Sequence, residues 1–138
     1  MSNQIQEAVT TVLFEKYCDF TGRSRRSEFW YFFLFSIILD CIFYIIYFLY
    51  DLIPFLFYPF LFIYFLYSLF AIIPTFAVGV RRLHDIGKPG ICILILFVPV
   101  VGLLIVLVLM AFDSQPGTNE YGTSPKYGTM SYTPYYTV

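Results

Sequence analysis

Three long apolar runs, set between polar segments, dominate the hydropathy pattern of the chain. Phe29 to Tyr50 is a run of about 22 residues broken only by Asp40, and a helix of about 20 apolar residues spans a bilayer. Pro54 to Val80 is uncharged and about 27 residues long; at 1.5 Å per residue that is ~40 Å, more than the ~30 Å of a hydrocarbon core. Tilting or kinking takes up the excess, with Pro59 and Pro74 as the places to bend. Ile91 to Phe112 supplies about 22 more residues and contains Pro99 and Gly102. The pattern predicts an all-α integral membrane protein with three transmembrane helices, at 29–50, 54–80 and 91–112.

Before the first run, Ile5, Val9, Val12, Leu13, Tyr17 and Phe20 recur at helical spacing among Asn3, Gln6, Glu7, Thr10 and Glu15. That spacing predicts a short amphipathic helix, lying in the membrane interface or covering the cytoplasmic ends of the bundle. Residues 1–28 thus form an amphipathic helix and a basic juxtamembrane segment. They lack the apolar core of a cleavable signal, and Met1-Ser2 offers no glycine for myristoylation. Residues 113–138 form a polar, turn-rich tail, expected to be disordered beyond about residue 127.

Composition sharpens this picture. Of 138 residues, 59% are hydrophobic and 12% charged. About a quarter of a soluble domain is charged, so this chain has too little charge to solvate a globule. A net charge of −1 gives no electrostatic basis for nucleic-acid binding. Cys18, Cys41 and Cys92 are odd in number and widely spaced, and His84 is the single histidine, so neither a disulfide framework nor a metal site is expected. No cofactor is implied.

Basic residues set the expected orientation. Lys16, Arg23, Arg25 and Arg26 precede the first run, and Arg81, Arg82 and Lys88 fall between the second and third. With three crossings these groups share one side, so the N-terminus is expected in the cytoplasm and the C-terminus outside. The tail then carries Lys126 to the far side, out of reach of the Arg81–Asp85 loop of its own chain.

Three groups of residues carry candidate chemistry. Ser36, Asp40, Tyr44 and Tyr47 share one face of the first span, and Tyr64, Ser68, Ala71 and Thr75 form a comparable stripe on the second. The two faces are expected to meet around Asp40, whose ionised carboxylate would cost roughly 2.5–3.5 kcal/mol at mid-bilayer. A neutral Asp40 in one interhelical hydrogen bond and a proton or cation relay both fit. The second group is Arg81 to Gly90, where Gly87 is suited to end one helix and Pro89 to start the next. Arg81 and Asp85 are spaced to pair, and His84-Asp85 brings a titratable ring beside a carboxylate. The third group is Gly22 to Glu28, with Arg23, Arg25 and Arg26 placed for phospholipid headgroups and Ser27-Glu28 for a helix start.

Arg23, Arg25, Arg26, Glu28, Arg81, Arg82, His84 and Asp85 therefore form the expected lipid- or partner-binding face. The leading expectation is a non-enzymatic membrane component that binds anionic lipid or a protein partner through it. One alternative is an oligomeric transporter or channel using Asp40. Another is a membrane enzyme on lipid headgroups, with His84 as base, Asp85 orienting it, Arg81 or Arg82 holding phosphate, and Ser24 or Ser27 recruited as nucleophile.

Four stretches also carry a family resemblance. Phe20-x-Gly22-Arg23-x-Arg25-Arg26-x-Glu28-Phe29-Trp30 resembles the opening signature of the bacterial membrane family called domain of unknown function 805. Pro74-x-x-Ala77-Val78-x-Val80-Arg81-Arg82-Leu83-His84-Asp85-Ile86-Gly87 resembles its central signature, and Pro99-x-x-Gly102 the kink in its last span. Asp113-Ser114-Gln115-Pro116-Gly117-x-Asn119-x-Tyr121-Gly122-x-x-Pro125-Lys126 resembles its tail. Pro89, Gly90 and Ile91 stand where serine, glycine and tryptophan are usual in the family, and Thr118 and Glu120 where an acidic and a basic residue are common. The resemblance implies a bacterial inner-membrane location and no particular activity.

Overall fold

A computed structural model describes residues 2–50 and 57–129. Helix α1 (Ser2–Thr10) runs into a wider π-helical turn, Thr11–Glu15, and packs against the start of α2 (Arg26–Tyr50). Ala8 and Val12 are its buried residues, while Phe14 is left exposed. The segment also touches α3 through the π-helical turn.

Helix α3 (Phe57–Asp85) returns alongside α2 and is 29 residues long, or ~43 Å. It continues five residues beyond the apolar run, so Arg81, Arg82, His84 and Asp85 sit in its last turns and not in a loop. Its end is a Schellman closure: Gly87 N–H donates to His84 O (3.1 Å) and Lys88 N–H to Leu83 O (2.9 Å), with Gly87 at φ +72°. Pro74 lies inside the helix and has no N–H to give the Phe70 carbonyl. The Tyr17 hydroxyl donates there instead, at 2.8 Å, which ties the N-terminal segment to α3.

Along most of their length α2 and α3 present apolar side chains outward. Ile38, Ile42, Ile45 and Phe48 on α2 and Phe62, Ile63, Phe65 and Ile72 on α3 are among many left exposed. Among the described residues these are the two helices long and apolar enough to cross a bilayer.

The third apolar run departs from expectation. It is not one spanning helix but a 3₁₀ segment, Gly90–Phe97, followed by a turn and the short helix α4, Val101–Ala111. Eleven residues rise only ~16 Å, too little to cross. The reversal is a γ-turn at Val100 (φ 62°), closed by Val101 N–H to Pro99 O at 2.6 Å. Gly102 makes it possible, because a Cβ there would collide with the Ile95 carbonyl on the other limb. Pro89 precedes the 3₁₀ segment as its N-cap and does not occupy its first turn.

The segment therefore leaves and returns at the same end of the helix pair. The tail after it reaches the end of α3: Gln115 N–H donates to Asp85 O at 2.8 Å. The expectation that the tail is out of reach of the Arg81–Asp85 segment fails because this run is folded back at Val100 and Gly102. A two-stranded ribbon, β1 (Thr118–Asn119) and β2 (Gly122–Thr123), completes the tail. Residues 113–127 are ordered through these contacts; of the stretch expected to be disordered, residues 130–138 lie outside the described residues.

Val12, Phe29, Phe32, Val78, Leu83, Ile93, Val106 and Met110 form the apolar core at this end. The π-helical turn, the start of α2, the end of α3, the 3₁₀ segment and α4 all contribute to it.

Candidate functional site

The N-terminal segment, the start of α2, the end of α3, the folded-back 90–111 segment and the tail together form a headpiece. Its polar centre is built on Asp85, whose side chain is closed to solvent. Arg23 Nε donates to its Oδ1 at 3.0 Å, and Arg82 Nη1 and the Ser114 hydroxyl donate to its Oδ2. Arg23 spends its remaining donors on backbone carbonyls: Asp85 O at 3.1 Å, Gly117 O at 2.9 Å, Gly122 O at 3.2 Å, and Gln115 O. Arg82 reaches Met110 O at 3.2 Å and Phe112 O. One arginine from before α2 and one from the end of α3 thus hold the tail by its main chain.

A second cluster forms around Arg81, 1% exposed. It donates to Lys16 O (2.9 Å) and Asp19 O (2.8 Å), and pairs with Glu28 at 3.1 Å. The Arg81 carbonyl accepts from Ser24 N–H at 3.1 Å. The Arg81–Asp85 pair expected from i,i+4 spacing is not formed, because Arg81 faces the N-terminal segment and Asp85 faces the tail. Buried charges are tolerated when paired and hydrogen-bonded, which is the arrangement of all three arginines.

These arginines cannot grip headgroups as expected, since Arg23, Arg81 and Arg82 are 6%, 1% and 0% exposed and donate inside the protein, Arg81 through Nη1 and Nη2 while its Nε is buried without a partner. The same geometry removes the proposed catalytic pair. His84 Nδ1 faces Gly22 O at 3.1 Å, and the ring stacks on Tyr121 with centroids 3.8 Å apart. The Asp85 carboxylate is engaged by Arg23, Arg82 and Ser114, so it does not orient His84. Neither Arg81 nor Arg82 is free to hold phosphate. Ser24 is buried beneath the cluster.

Of the eight expected residues, Arg25 and Arg26 remain at the surface. They line a shallow pocket of ≈ 280 Å³ with Ser27, Ser114 and Lys126. Asp113 stands at its edge, 2.6 Å from Lys126 Nζ and 3.9 Å from Arg26 Nη1. Lys126, the Ser114 N–H and the Tyr127 hydroxyl hold the Asp113 carboxyl down at about 2. The tail residues Ser114, Gln115, Asn119, Tyr121 and Lys126, all within the fourth signature, join this end of the molecule beyond the eight expected residues. The polar content of that signature was the available signal, hidden by the assumption of a third crossing.

The polar stripes of α2 and α3 line shared cavities, but no interhelical hydrogen bond of Asp40 is found among the described residues. Ser36 and Asp40 of α2 face Tyr64, Tyr67, Ser68, Ala71 and Thr75 of α3 across a cavity of ≈ 340 Å³. A second cavity, ≈ 550 Å³, places Asp40 with Cys41, Tyr44, Tyr47 and Tyr64. Ser36, Ser68 and Thr75 hydroxyls donate back to carbonyls of their own helices, at 3.0, 2.8 and 2.7 Å. Asp40 is exposed and makes no ion pair among the described residues. Nor do the described residues contain a cluster of ligands able to hold a metal ion.

The family described as Protein of unknown function (DUF805) matches residues 17–123, the span that encloses all of the Arg23, Arg82 and Asp85 contacts. The chain belongs to this family. It is 37% identical over 116 residues to Inner membrane protein YhaI of Escherichia coli (strain K12), covering 83% of this chain and 92% of that protein. It is 30% identical over 117 residues to Inner membrane protein YhaH of the same strain, covering 81% and 91% respectively. No solved structure matches it. With its exposed apolar helices, this DUF805 member is a small bacterial inner-membrane protein.

Proposed function

We propose that this protein is a non-enzymatic inner-membrane component whose folded headpiece binds anionic lipid from the cytoplasmic side. The observation that carries this reading is the distribution of positive charge. All eight lysines and arginines belong to the headpiece end of the hairpin, because the folded-back tail brings Lys126 to the others. Basic residues near span ends mark the cytoplasmic side. The proposed topology therefore has α2 and α3 crossing, 90–111 dipping in and out as a re-entrant hairpin, and both N- and C-terminal segments in the cytoplasm.

Three of the eight cations are spent inside the headpiece, which leaves Lys16, Arg25, Arg26, Lys88 and Lys126 for the membrane surface. Near an anionic leaflet each contributes about 1 kcal/mol of attraction. The single tryptophan, Trp30, follows this face by one helical turn and reports on lipid there. Brominated phosphatidylglycerol should quench Trp30 more than brominated phosphatidylcholine, with the difference shrinking as salt rises. Equal quenching by both lipids at low salt would sink the reading.

One observation favours a second reading, a transporter or channel assembled from several copies: Asp40 opens into cavities that a two-helix hairpin does not enclose. Proton or cation flux through proteoliposomes, abolished by Asp40→Asn, would support it, and absence of flux from the unsubstituted protein would end it.

A further inference from the structure

The pocket between the start of α2 and the tail has the chemistry of a phosphate site. Arg25, Arg26 and Lys126 line it, with the Ser27 hydroxyl on the first turn of α2. At its edge stands Asp113, already paired with Lys126 by two contacts of 2.6 and 2.7 Å. Glu7 and Glu28 line a neighbouring pocket that Arg25 and Ser27 share, Glu28 being paired with Arg81. Arg26 is held only loosely by Asp113, at 3.9 Å, and keeps 47% of its side chain exposed. Arg25 enters no ion pair among the described residues. The pocket thus keeps a surplus of positive charge carrying unused donors. The α2 terminus adds to it, since the first main-chain donation there is Phe29 N–H to Arg25 O and the amides before it are open.

Position selects the kind of phosphate. Two residues beyond Ser27 the helix turns apolar at Phe29 and Trp30, so the pocket lies at the seam between headpiece and apolar shaft. In the proposed topology that seam is at headgroup depth. An anionic headgroup without an ammonium suits the pocket better than a zwitterionic one, because Lys126 already occupies Asp113, the carboxylate an ammonium would need.

We infer that Arg25, Arg26, Ser27 and Lys126 form a site for the phosphate of one anionic phospholipid, completed by the tail. The inference rests on the lipid-binding reading above and deepens it. It differs from a diffuse basic surface because one wall comes from a tail residue about a hundred positions from the other. Asp113 tunes the site by competing for Lys126.

The test is intact mass of the full chain released from nanodiscs of phosphatidylglycerol mixed with phosphatidylcholine. The comparison is with Arg25→Gln/Arg26→Gln, Lys126→Gln, Asp113→Asn and, as a control, Lys16→Gln/Lys88→Gln. Unchanged thermal unfolding identifies variants whose headpiece is intact, as expected for side chains at the surface. The expected result is retained phosphatidylglycerol that falls about five-fold per cation removed from the pocket. Asp113→Asn should increase retention and the control should lower it little. Retention unchanged by Arg25→Gln/Arg26→Gln and Lys126→Gln but lost in the control overturns the site while leaving the broader reading standing. No preference for phosphatidylglycerol in the unsubstituted protein removes both. A site that inorganic phosphate at millimolar concentration fills in detergent as well as the lipid does would be a soluble-anion site, and the lipid assignment would fall.

Discussion

Arg23 and Asp85, 62 positions apart in the chain, meet at 3.0 Å in an ion pair whose side chains are 1% and 0% exposed. The first lies before α2 and the second ends α3, so the pair closes the mouth of the hairpin and gives the tail its anchor. Burying such charges costs several kcal/mol per ion, and here the cost is met by saturation with hydrogen bonds. Removing one partner strands the others. Asp85→Asn should destabilise the headpiece by about 3–5 kcal/mol, since Arg23 and Arg82 would stay buried without their counter-ion. Thermal unfolding in detergent and tryptic cleavage at Lys126 measure this; an unshifted midpoint with a protected tail would contradict the anchoring role.

The reversal at Val100 depends on a missing side chain. Gly102→Ala places a methyl group on the Ile95 carbonyl, which belongs to the backbone and has no rotamer to escape into. The two limbs must separate, disturbing the packing of Ile93, Val106 and Met110. Reduced yield and a lower midpoint are expected. Val100→Gly, by contrast, relieves a β-branched residue at φ 62° and should leave stability unchanged or raised by up to about 1 kcal/mol.

Sidedness follows from the proposed topology. Reporters fused before Met1 and after Val138 should both read as cytoplasmic. A periplasmic reading at Val138 would require the 90–111 hairpin to open into a spanning helix and would break the Gln115–Asp85 contact.

Tyr17 completes a helix that Pro74 interrupts. Tyr17→Phe keeps the ring against Phe70, at a centroid distance of 4.8 Å, but removes the 2.8 Å donation to its carbonyl. The expected loss is about 1 kcal/mol, with faster amide exchange in the Thr11–Glu15 turn. A variant indistinguishable from the unsubstituted protein would show that solvent satisfies this carbonyl equally well.

Acid acts on the tail through Asp113. Its folded value, about 2, lies below the ordinary 3.8, so its contribution is present above pH ~4 and is lost as pH falls toward 2. A carboxyl carbon-13 titration should therefore show Asp113 ionised throughout the neutral range and protonating last among the exposed carboxylates. A midpoint near 4 would mean that Lys126 and Tyr127 do not hold it in solution.

What the sequence determined by itself was local. The long apolar runs of α2 and α3 fix two membrane helices by length and composition, Gly87 marks the end of α3, and the spacing of Ser36 and Asp40 against Tyr64 and Ser68 brings two polar faces together. The four signatures in series also named the family. Tertiary structure decided the rest, because it depends on contacts between distant positions. Hydropathy cannot distinguish a spanning run from a folded-back one; that turns on whether Gly102 can lie against the Ile95 carbonyl and Val100 can hold a positive φ. Nor can charge count show which arginines reach solvent. Arg23, Arg81 and Arg82 turn inward because backbone carbonyls of the tail, the Lys16–Asp19 stretch and the end of α4 are brought within reach of their guanidinium groups. Arg25 and Arg26, one and two positions beyond the buried Ser24, face the other way.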